Sequence, residues 1–374
     1  MSAAAAGHKG LRLLITGGGT GGHLFPAVAT AEYLLQSGPG SHVLFIGTTR
    51  RLDRDTLERY GFTVKTIHSH GFKGKNLAEL VKALLVLPVS LLESCVHILA
   101  FKPDVVMGVG GYVTGPVIAA AWLLRRPTIV HEQNSVPGLA NRKLGKLVDR
   151  VCLSLPQSEA YFPSARAVLT GNPVRNSIIE LGGQEPHSHG RRTLAVLGGS
   201  QGAHAVNQLV VDAVRQHVER FSEMAIIHQT GPDDEAMVKQ AYEELGIDHR
   251  VAAFFNDMAE IYRLADMLVS RAGATTLAEI AVVGKPAILI PYPYAADGHQ
   301  TKNSIWYTDS GAAVMFEQHD IDGRRLGEEI LAIASDEQRY RRMARAMKSL
   351  AITDAAGRIV AICRELSEQK HHVS

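Results

Sequence analysis

Two α/β domains, each built on a parallel sheet and facing the other across a deep cleft, are the architecture that this 374-residue chain predicts. Three features carry the prediction. Short apolar runs alternate with helix-patterned stretches in both halves, as in a parallel sheet covered by helices. Each half opens with an apolar run that ends in a glycine-rich loop and leads into a helix. Leu11–Ile15 precedes Thr16-Gly17-Gly18-Gly19-Thr20-Gly21-Gly22-His23, and Thr193–Leu197 precedes Gly198-Gly199-Ser200-Gln201-Gly202-Ala203. The length accommodates two domains of ordinary size.

In the first half, strands are predicted at 11–15, 43–46, 64–67, 105–109, 128–130, 150–153 and 167–169. Helices fall between them over 24–35, 77–99 and 116–124. Residues 182–190 are polar and aperiodic, which predicts an exposed loop. The domain junction is placed near Gly171-Asn172-Pro173. The second half repeats the alternation, with strands at 194–197, 225–229, 251–254, 267–270, 287–291 and 313–316 and helices at 204–218, 258–264 and 275–283. Beyond Asp320 the chain is charged and helical to about Gln369, a closing helix pair able to cross back onto the first domain. The expected domains are 1–175 and 176–353, with a terminal helix at about 354–374 packing on the first.

The composition, 46% hydrophobic and 20% charged, is that of a soluble globular protein. A net charge of +2 gives no reason to expect nucleic acid as a partner, and no nucleic-acid-binding signature occurs. The three cysteines, Cys95, Cys152 and Cys363, are scattered and imply no disulfide framework, so a reducing compartment fits. The longest apolar run, Ala83–Leu92, contains Pro88 and falls short of the roughly 18 residues a spanning helix needs.

A strand, a glycine turn and a helix N-terminus make an anion site, because bare backbone N–H groups and the helix dipole both favour negative charge there. Gly17, Gly19 and Gly22 formally satisfy G-x-G-x-x-G. A dinucleotide site would also need an acidic residue ending the second strand. Here that strand ends Phe45-Ile46-Gly47-Thr48-Thr49, with no carboxylate before Asp53, which weakens an NAD- or FAD-binding oxidoreductase. Neither loop has the Gly-Lys-Ser/Thr of a P-loop. His23 stands in the first turn after its loop. It either packs as a helix-start residue or, beside an anion site, serves as a general base; the loop context favours the base.

A third glycine cluster, Gly108-Val109-Gly110-Gly111-Tyr112, joins another strand to a helix, and three such loops at strand C-terminal ends favour one shared site. His131-Glu132-Gln133-Asn134 follows the strand at 128–130 as a polar turn on the same edge. In Arg271–Glu279, Gly273 opens a turn, Thr275 or Thr276 is placed as a cap, and Glu279 is either a solvated carboxylate or an acceptor for a ribose diol. Asp297-Gly298-His299-Gln300 suits sugar hydroxyls. Asp53-Arg54-Asp55 has the D-x-D form of a metal-holding triplet but reads as a charged helix start, and no zinc pattern occurs, so no metal site is assigned. Along 77–99, Leu77, Leu80, Val81, Leu84 and Leu85 share a helical face flanked by Lys73, Lys75 and Lys82. Periodicity alone favours a core helix over one lying in a lipid boundary.

Taken together, these segments resemble the MurG family of bacterial transferases, which add N-acetylglucosamine to the lipid-linked muramyl-pentapeptide of peptidoglycan. The matching stretches are Gly18–His23 with Pro26, Pro103–Tyr112, His131–Asn134 with Gly138 and Asn141, Gly171–Arg175, Gly198–Ala203, Arg271–Glu279 and Asp297–Asn303. They run in family order from about Leu11 to Gly311.

The resemblance implies the GT-B fold of two Rossmann-like domains. It also implies an inverting, metal-independent glycosyl transfer from UDP-N-acetylglucosamine to the C4 hydroxyl of an undecaprenyl-pyrophosphoryl-N-acetylmuramyl-pentapeptide, without a cofactor. By position, His23 is the base and Thr20, Gly21 and Gly22 approach the donor from the first domain. Asn134 meets the sugar, and Arg175 and Ser200 meet phosphate. The backbone at Phe255 reads uracil. Ala274, Thr275, Thr276, Leu277, Ala278 and Glu279 hold phosphate and ribose, and Gln300 binds sugar hydroxyls. The resemblance also reverses the core-helix reading: Lys73, Lys75, Leu77, Leu80, Leu84 and Leu85 become a face toward an anionic membrane. The implied location is peripheral, on the cytoplasmic face of the bacterial cell membrane, with other cell-wall synthesis proteins as further partners. The rivals are a UDP-N-acetylglucosamine 2-epimerase, another GT-B sugar transferase and, more remotely, the oxidoreductase.

Overall fold

Mostly apolar runs of three to six residues form the strands, the polar exceptions being the edge strands Thr63–Thr66 and Asp248–Ala252, and every pairing between the strands is parallel. The computed structural model describes residues 10–18, 21–48, 54, 57–69, 77–182, 191–199 and 201–373, with the side chains of 77–84 and 371–373 left out. The chain divides into two units, Met1–Arg175 with Thr353–Ser374, and Asn176–Ile352.

The first unit holds β1 (Arg12–Thr16), β2 (His42–Gly47), β3 (Thr63–Thr66), β4 (Val105–Gly108), β5 (Thr128–Glu132), β6 (Arg150–Leu153) and β7 (Ala167–Leu169). Their order is β3-β2-β1-β4-β5-β6-β7, so the winding reverses between β1 and β4. Helices α1 (Gly21–Ser37), α2 (Leu77–Phe101), α3 (Thr114–Leu123) and α4 (Leu139–Leu144) connect them. Strand alternation splits the core into two layers. Leu13 and Ile15 join Val28, Ala31 and Leu34 of α1 on one face, with Ile359, Val360 and Cys363 of the C-terminal helix (Ala355–Val373). Leu14 joins Val117 and Ile118 of α3 on the other.

The second unit contains α5 (Asn176–Leu181), β8 (Thr193–Leu197), α6 (His204–Gln216), α7 (Val218–Phe221), β9 (Ala225–Gln229), α8 (Glu235–Glu244), β10 (Asp248–Ala252) and α9 (Met258–Leu264). It continues with β11 (Met267–Ser270), α10 (Ala274–Val283), β12 (Ala287–Leu289), α11 (His299–Asp309), β13 (Ala313–Met315), α12 (Gly323–Ser335) and α13 (Glu337–Ser349). The order β10-β9-β8-β11-β12-β13 reverses between β8 and β11.

Both sheets share a fastening device at the edge opposite their glycine loops. An aspartate preceding one strand accepts from the backbone N–H that opens its neighbour: Asp104 from Arg12 at 2.8 Å, Asp149 from Thr128 at 2.7 Å and Asp266 from Thr193 at 2.7 Å. Each aspartate's own N–H returns a bond to the same residue's carbonyl. The reciprocal pairs satisfy strand-end groups that the ladder leaves open.

Three local expectations are corrected. The strand expected at 251–254 lies at Asp248–Ala252, because this edge strand pairs only with β9 and tolerates the polar Asp-His-Arg run. The region after Asp320 is three helices, broken at Asp336 and Leu350, not a pair; Asp336 caps α13 by accepting from Arg339 N–H. The polar run at 131–134 is not wholly a turn, since β5 continues through Glu132.

Candidate active site

In each unit the candidate residues gather at the C-terminal ends of the strands beside the winding reversal, where open α/β sheets bind ligands. The loops after β1, β4 and β5 supply most of them in the first unit, with Arg175 after β7, and those after β8, β11 and β12 most of them in the second, with Phe255 after β10.

In the first unit the loop after β1 is pressed against the loop after β4. Gly111 has φ +84° and a Cβ there would stand 2.6 Å from the Gly18 carbonyl. Gly110 has φ +110° and a Cβ there would stand 2.9 Å from both Cε1 and Nδ1 of His23. Glycine is therefore required at both positions, by backbone conformation and by space. His23 occupies the first turn of α1, a turn with no acidic residue. Its Nδ1 lies 3.0 Å from Gln133 Oε1. Gln133 Nε2 donates to the Val109 carbonyl at 2.9 Å and reaches His131 Nδ1 at 3.1 Å. His131 Nε2 faces Ser154 Oγ at 3.0 Å and the Gly171 carbonyl at 3.3 Å. Burial pushes the His131 pKa down to about 4, which keeps the ring neutral near pH 7.

Glu132 is buried beside it. Burial raises its carboxyl pKa, opposed by bonds from Asn134, Asn141 and Gly138. The backbone N–H of Asn134 donates to Oε1 at 2.9 Å, while Asn141 Nδ2 and Gly138 N–H donate to Oε2 at 2.9 and 3.2 Å. The carboxylate thus folds residues 134–141 around itself and sets where Asn134 stands. Arg175 is buried with its guanidinium 4.4 Å from the Phe25 ring centroid, and its charge acts on Glu32. Gly21 and Gly22 open α1, whereas Thr20 lies outside the described residues.

In the second unit, α6 and α10 both begin without a side-chain cap and without an acidic residue in the first turn. A helix start of this kind favours negative charge through its dipole. Gly202 has φ +80°, and a Cβ there would run into the Thr230 carbonyl. Ser200 is outside the described residues. Gln229 bridges two segments: its Nε2 donates to the Gly199 carbonyl at 3.1 Å, and its Oε1 accepts from Phe255 N–H at 3.0 Å. The Phe255 amide N–H is thus engaged within the protein. Gln229 was not singled out from sequence; as a polar residue ending an apolar strand its only local mark was position.

Thr275 and Thr276 were placed as possible caps, but α10 starts at Ala274 with Gly273 as N-cap, so both threonines lie inside the first turn. Glu279 is 5% exposed, not solvated, and its Oε2 accepts from the Tyr262 hydroxyl at 2.9 Å. Leu277 packs in the core, and Ala278 lies between these two on the helix. Gln300 Oε1 accepts from Tyr292 N–H at 2.9 Å and Ala272 N–H at 3.3 Å, so its Nε2 amino group is the end that can meet a ligand. Arg271, also missed as a contributor, joins the ends of β11 and β12 by donating to the Ile290 and Pro291 carbonyls, both at 3.0 Å.

The apolar face of α2 extends further than expected. Leu85, Val89, Leu92, Val96 and Leu99 recur at helical spacing, and all are exposed, Leu85 at 72% and Leu92 at 67%. The opposite side carries the buried Ser90 and Ser94. Trp122 and Leu123 on α3, which packs against α2, are exposed as well. Lys73 and Lys75 lie outside the described residues, as do the side chains of Leu77, Leu80 and Leu84. Among the described residues no helix is long and apolar enough to cross a membrane.

Comparison with known proteins places this geometry in a family. Residues 13–153 match the glycosyltransferase family 28 N-terminal domain, and residues 193–359 match the glycosyltransferase family 28 C-terminal domain. The UDP-N-acetylglucosamine--N-acetylmuramyl-(pentapeptide) pyrophosphoryl-undecaprenol N-acetylglucosamine transferase of Desulfotalea psychrophila is 55% identical over 95% of this chain and 96% of its own. The crystal structure of Acinetobacter baumannii MurG is 28% identical with a TM-score of 0.75, covering 95% of this chain and 99% of that one. A UDP-N-acetylglucosamine 2-epimerase structure, 15% identical with a TM-score of 0.66 over 94% of this chain and 95% of its own, shares the fold alone. Two parallel-sheet units, glycine loops at both winding reversals and 55% identity over nearly the full length converge: the chain belongs to the MurG family of GT-B glycosyltransferases.

Proposed function

We propose that this chain transfers N-acetylglucosamine from UDP-N-acetylglucosamine to the C4 hydroxyl of undecaprenyl-pyrophosphoryl-N-acetylmuramyl-pentapeptide, with inversion at the anomeric carbon. The observation that carries the reading is the 55% identity, over nearly the whole of both chains, to a transferase of that name. The epimerase reading rests on a 15% identical structure and has no comparable support.

In the mechanism, His23 is the base. The acceptor C4 oxygen bonds to the donor anomeric carbon as the bond from that carbon to the phosphate oxygen breaks. The hydroxyl proton passes to the imidazole, and UDP departs with the electron pair of the broken bond. The second unit holds the donor. The first turns of α6 and α10, with Ser200, Ala274, Thr275 and Thr276, take the diphosphate, and Glu279 takes the ribose diol. The Phe255 carbonyl takes the uracil N3–H, and the Gln300 amino group takes a sugar hydroxyl. From the first unit, Thr20, Gly21, Gly22, Asn134 and Arg175 serve the sugar and phosphates. Preorganised N–H donors stabilise the leaving charge, so the reaction is expected to proceed without a divalent ion.

The exposed stripe from Leu85 to Leu99 lies against the cytoplasmic face of the cell membrane. Transfer of radiolabel from UDP-N-acetylglucosamine to the lipid-linked acceptor, with and without chelator, tests the reaction. Label that stays on the nucleotide sugar would refute it.

A further inference from the structure

Whether an imidazole can take a proton depends on which nitrogen already carries one. At His23 that choice is settled by a chain of bonds that starts from groups with no choice. The Val109 carbonyl can only accept, so the Gln133 atom 2.9 Å from it is the amide nitrogen, and Oε1 is the atom facing His23 at 3.0 Å. An amide oxygen also only accepts, so His23 Nδ1 must be the donor. The other end of the chain agrees. With Gln133 Nε2 donating its second hydrogen to His131 Nδ1, His131 carries its proton on Nε2, where the Gly171 carbonyl at 3.3 Å and the Ser154 hydroxyl oxygen at 3.0 Å can accept it. Both hydrogens of the Gln133 amide group are thereby used, and the amide cannot turn over without setting its oxygen against the Val109 carbonyl.

We propose that Gln133, held in one orientation by Val109 and His131, is a positioning residue that keeps the proton of His23 on Nδ1 and its lone pair on Nε2. This rests on the reading of His23 as the base, and it names the atom that receives the acceptor's proton. Gly110 completes the device, since its missing Cβ is what seats the ring in this place. Burial of His131 as a neutral ring serves the same end: a proton on its Nδ1 would oppose the Gln133 donor.

The test is ¹⁵N spectroscopy of the histidine-labelled full chain at mildly alkaline pH, with the His23 signals identified by their loss in His23→Ala. The wild-type chain should show His23 protonated at Nδ1 and bare at Nε2. Gln133→Met, similar in length and lacking the amide, should lose that preference. It should also lower kcat by about tenfold or more, within the range that a general base contributes, at nearly unchanged KM for the donor. A wild-type spectrum with the proton on Nε2 overturns the proposal without need of any variant. So does a signature that Gln133→Met leaves in place. If the signature moves while kcat does not, His23 is not the base: the tautomer assignment stands and its catalytic consequence falls.

Discussion

Lowering the pH should destabilise the first unit through His131, by an amount that its burial sets. The ring is wholly enclosed on β5, and its pKa is pushed from 6.5 down to about 4. A group whose folded pKa lies below its unfolded value binds protons better in the unfolded chain. Its contribution is therefore intact above the unfolded pKa and is lost as pH falls from about 6.5 toward 4. At about 1.4 kcal/mol per pH unit, the loss at about pH 5 is roughly 2 kcal/mol. Glu132 works the other way, because burial raises its carboxyl pKa. The informative comparison is therefore wild type against His131→Asn, which keeps Glu132, preserves an acceptor toward Gln133 and does not titrate. Native-state hydrogen exchange of the β4 and β5 amides reads the stability of this unit separately from the other. Between about pH 7.5 and pH 5 the wild type should lose about 2 kcal/mol more than His131→Asn. Equal losses in the two proteins would refute the claim that the fold holds this imidazole neutral.

Four further outcomes follow from the site. His23→Ala should lower kcat by about 10²- to 10⁴-fold, with UDP affinity little changed by calorimetry. Glu279→Ala removes a buried acceptor for charge-assisted bonds and should weaken UDP binding by about 2–3 kcal/mol, roughly 30- to 150-fold, by the same measurement. Gly110→Ala places a methyl group against the His23 ring at a φ of +110° and should depress kcat while the melting temperature of the second unit holds. Leu92→Glu together with Leu99→Glu should abolish binding to anionic vesicles in flotation while leaving the circular dichroism spectrum intact, since both side chains are exposed.

The fold was legible because parallel strands buried on both faces appear as unbroken apolar runs, and here glycine loops punctuate them. Val105–Gly108, Arg150–Leu153 and Met267–Ser270 stand within a residue of expectation. Edge and end positions were not legible. β10 opens on Asp248-His249-Arg250, which no apolar pattern marks. His131 and Glu132 are polar residues inside a strand, and their partners at Gly171, Ser154 and Asn141 are distant in sequence. Glu279 was ambiguous for the same reason, because its enclosure depends on Tyr262 from the preceding helix. Helical periodicity put Leu77 to Leu85 on one face, but spacing cannot say what a face meets. The continuation through Val89, Leu92, Val96 and Leu99 became informative only once those residues were found exposed.

The most direct measurement supplies UDP-N-acetylglucosamine labelled in the sugar to the purified chain, with the lipid-linked muramyl-pentapeptide present or omitted and chelator in both. Label should enter the lipid fraction in a β-linkage only when the acceptor is present, and His23→Ala should all but stop it. Conversion of the nucleotide sugar in the absence of acceptor, with no label in lipid when acceptor is supplied, would contradict the account.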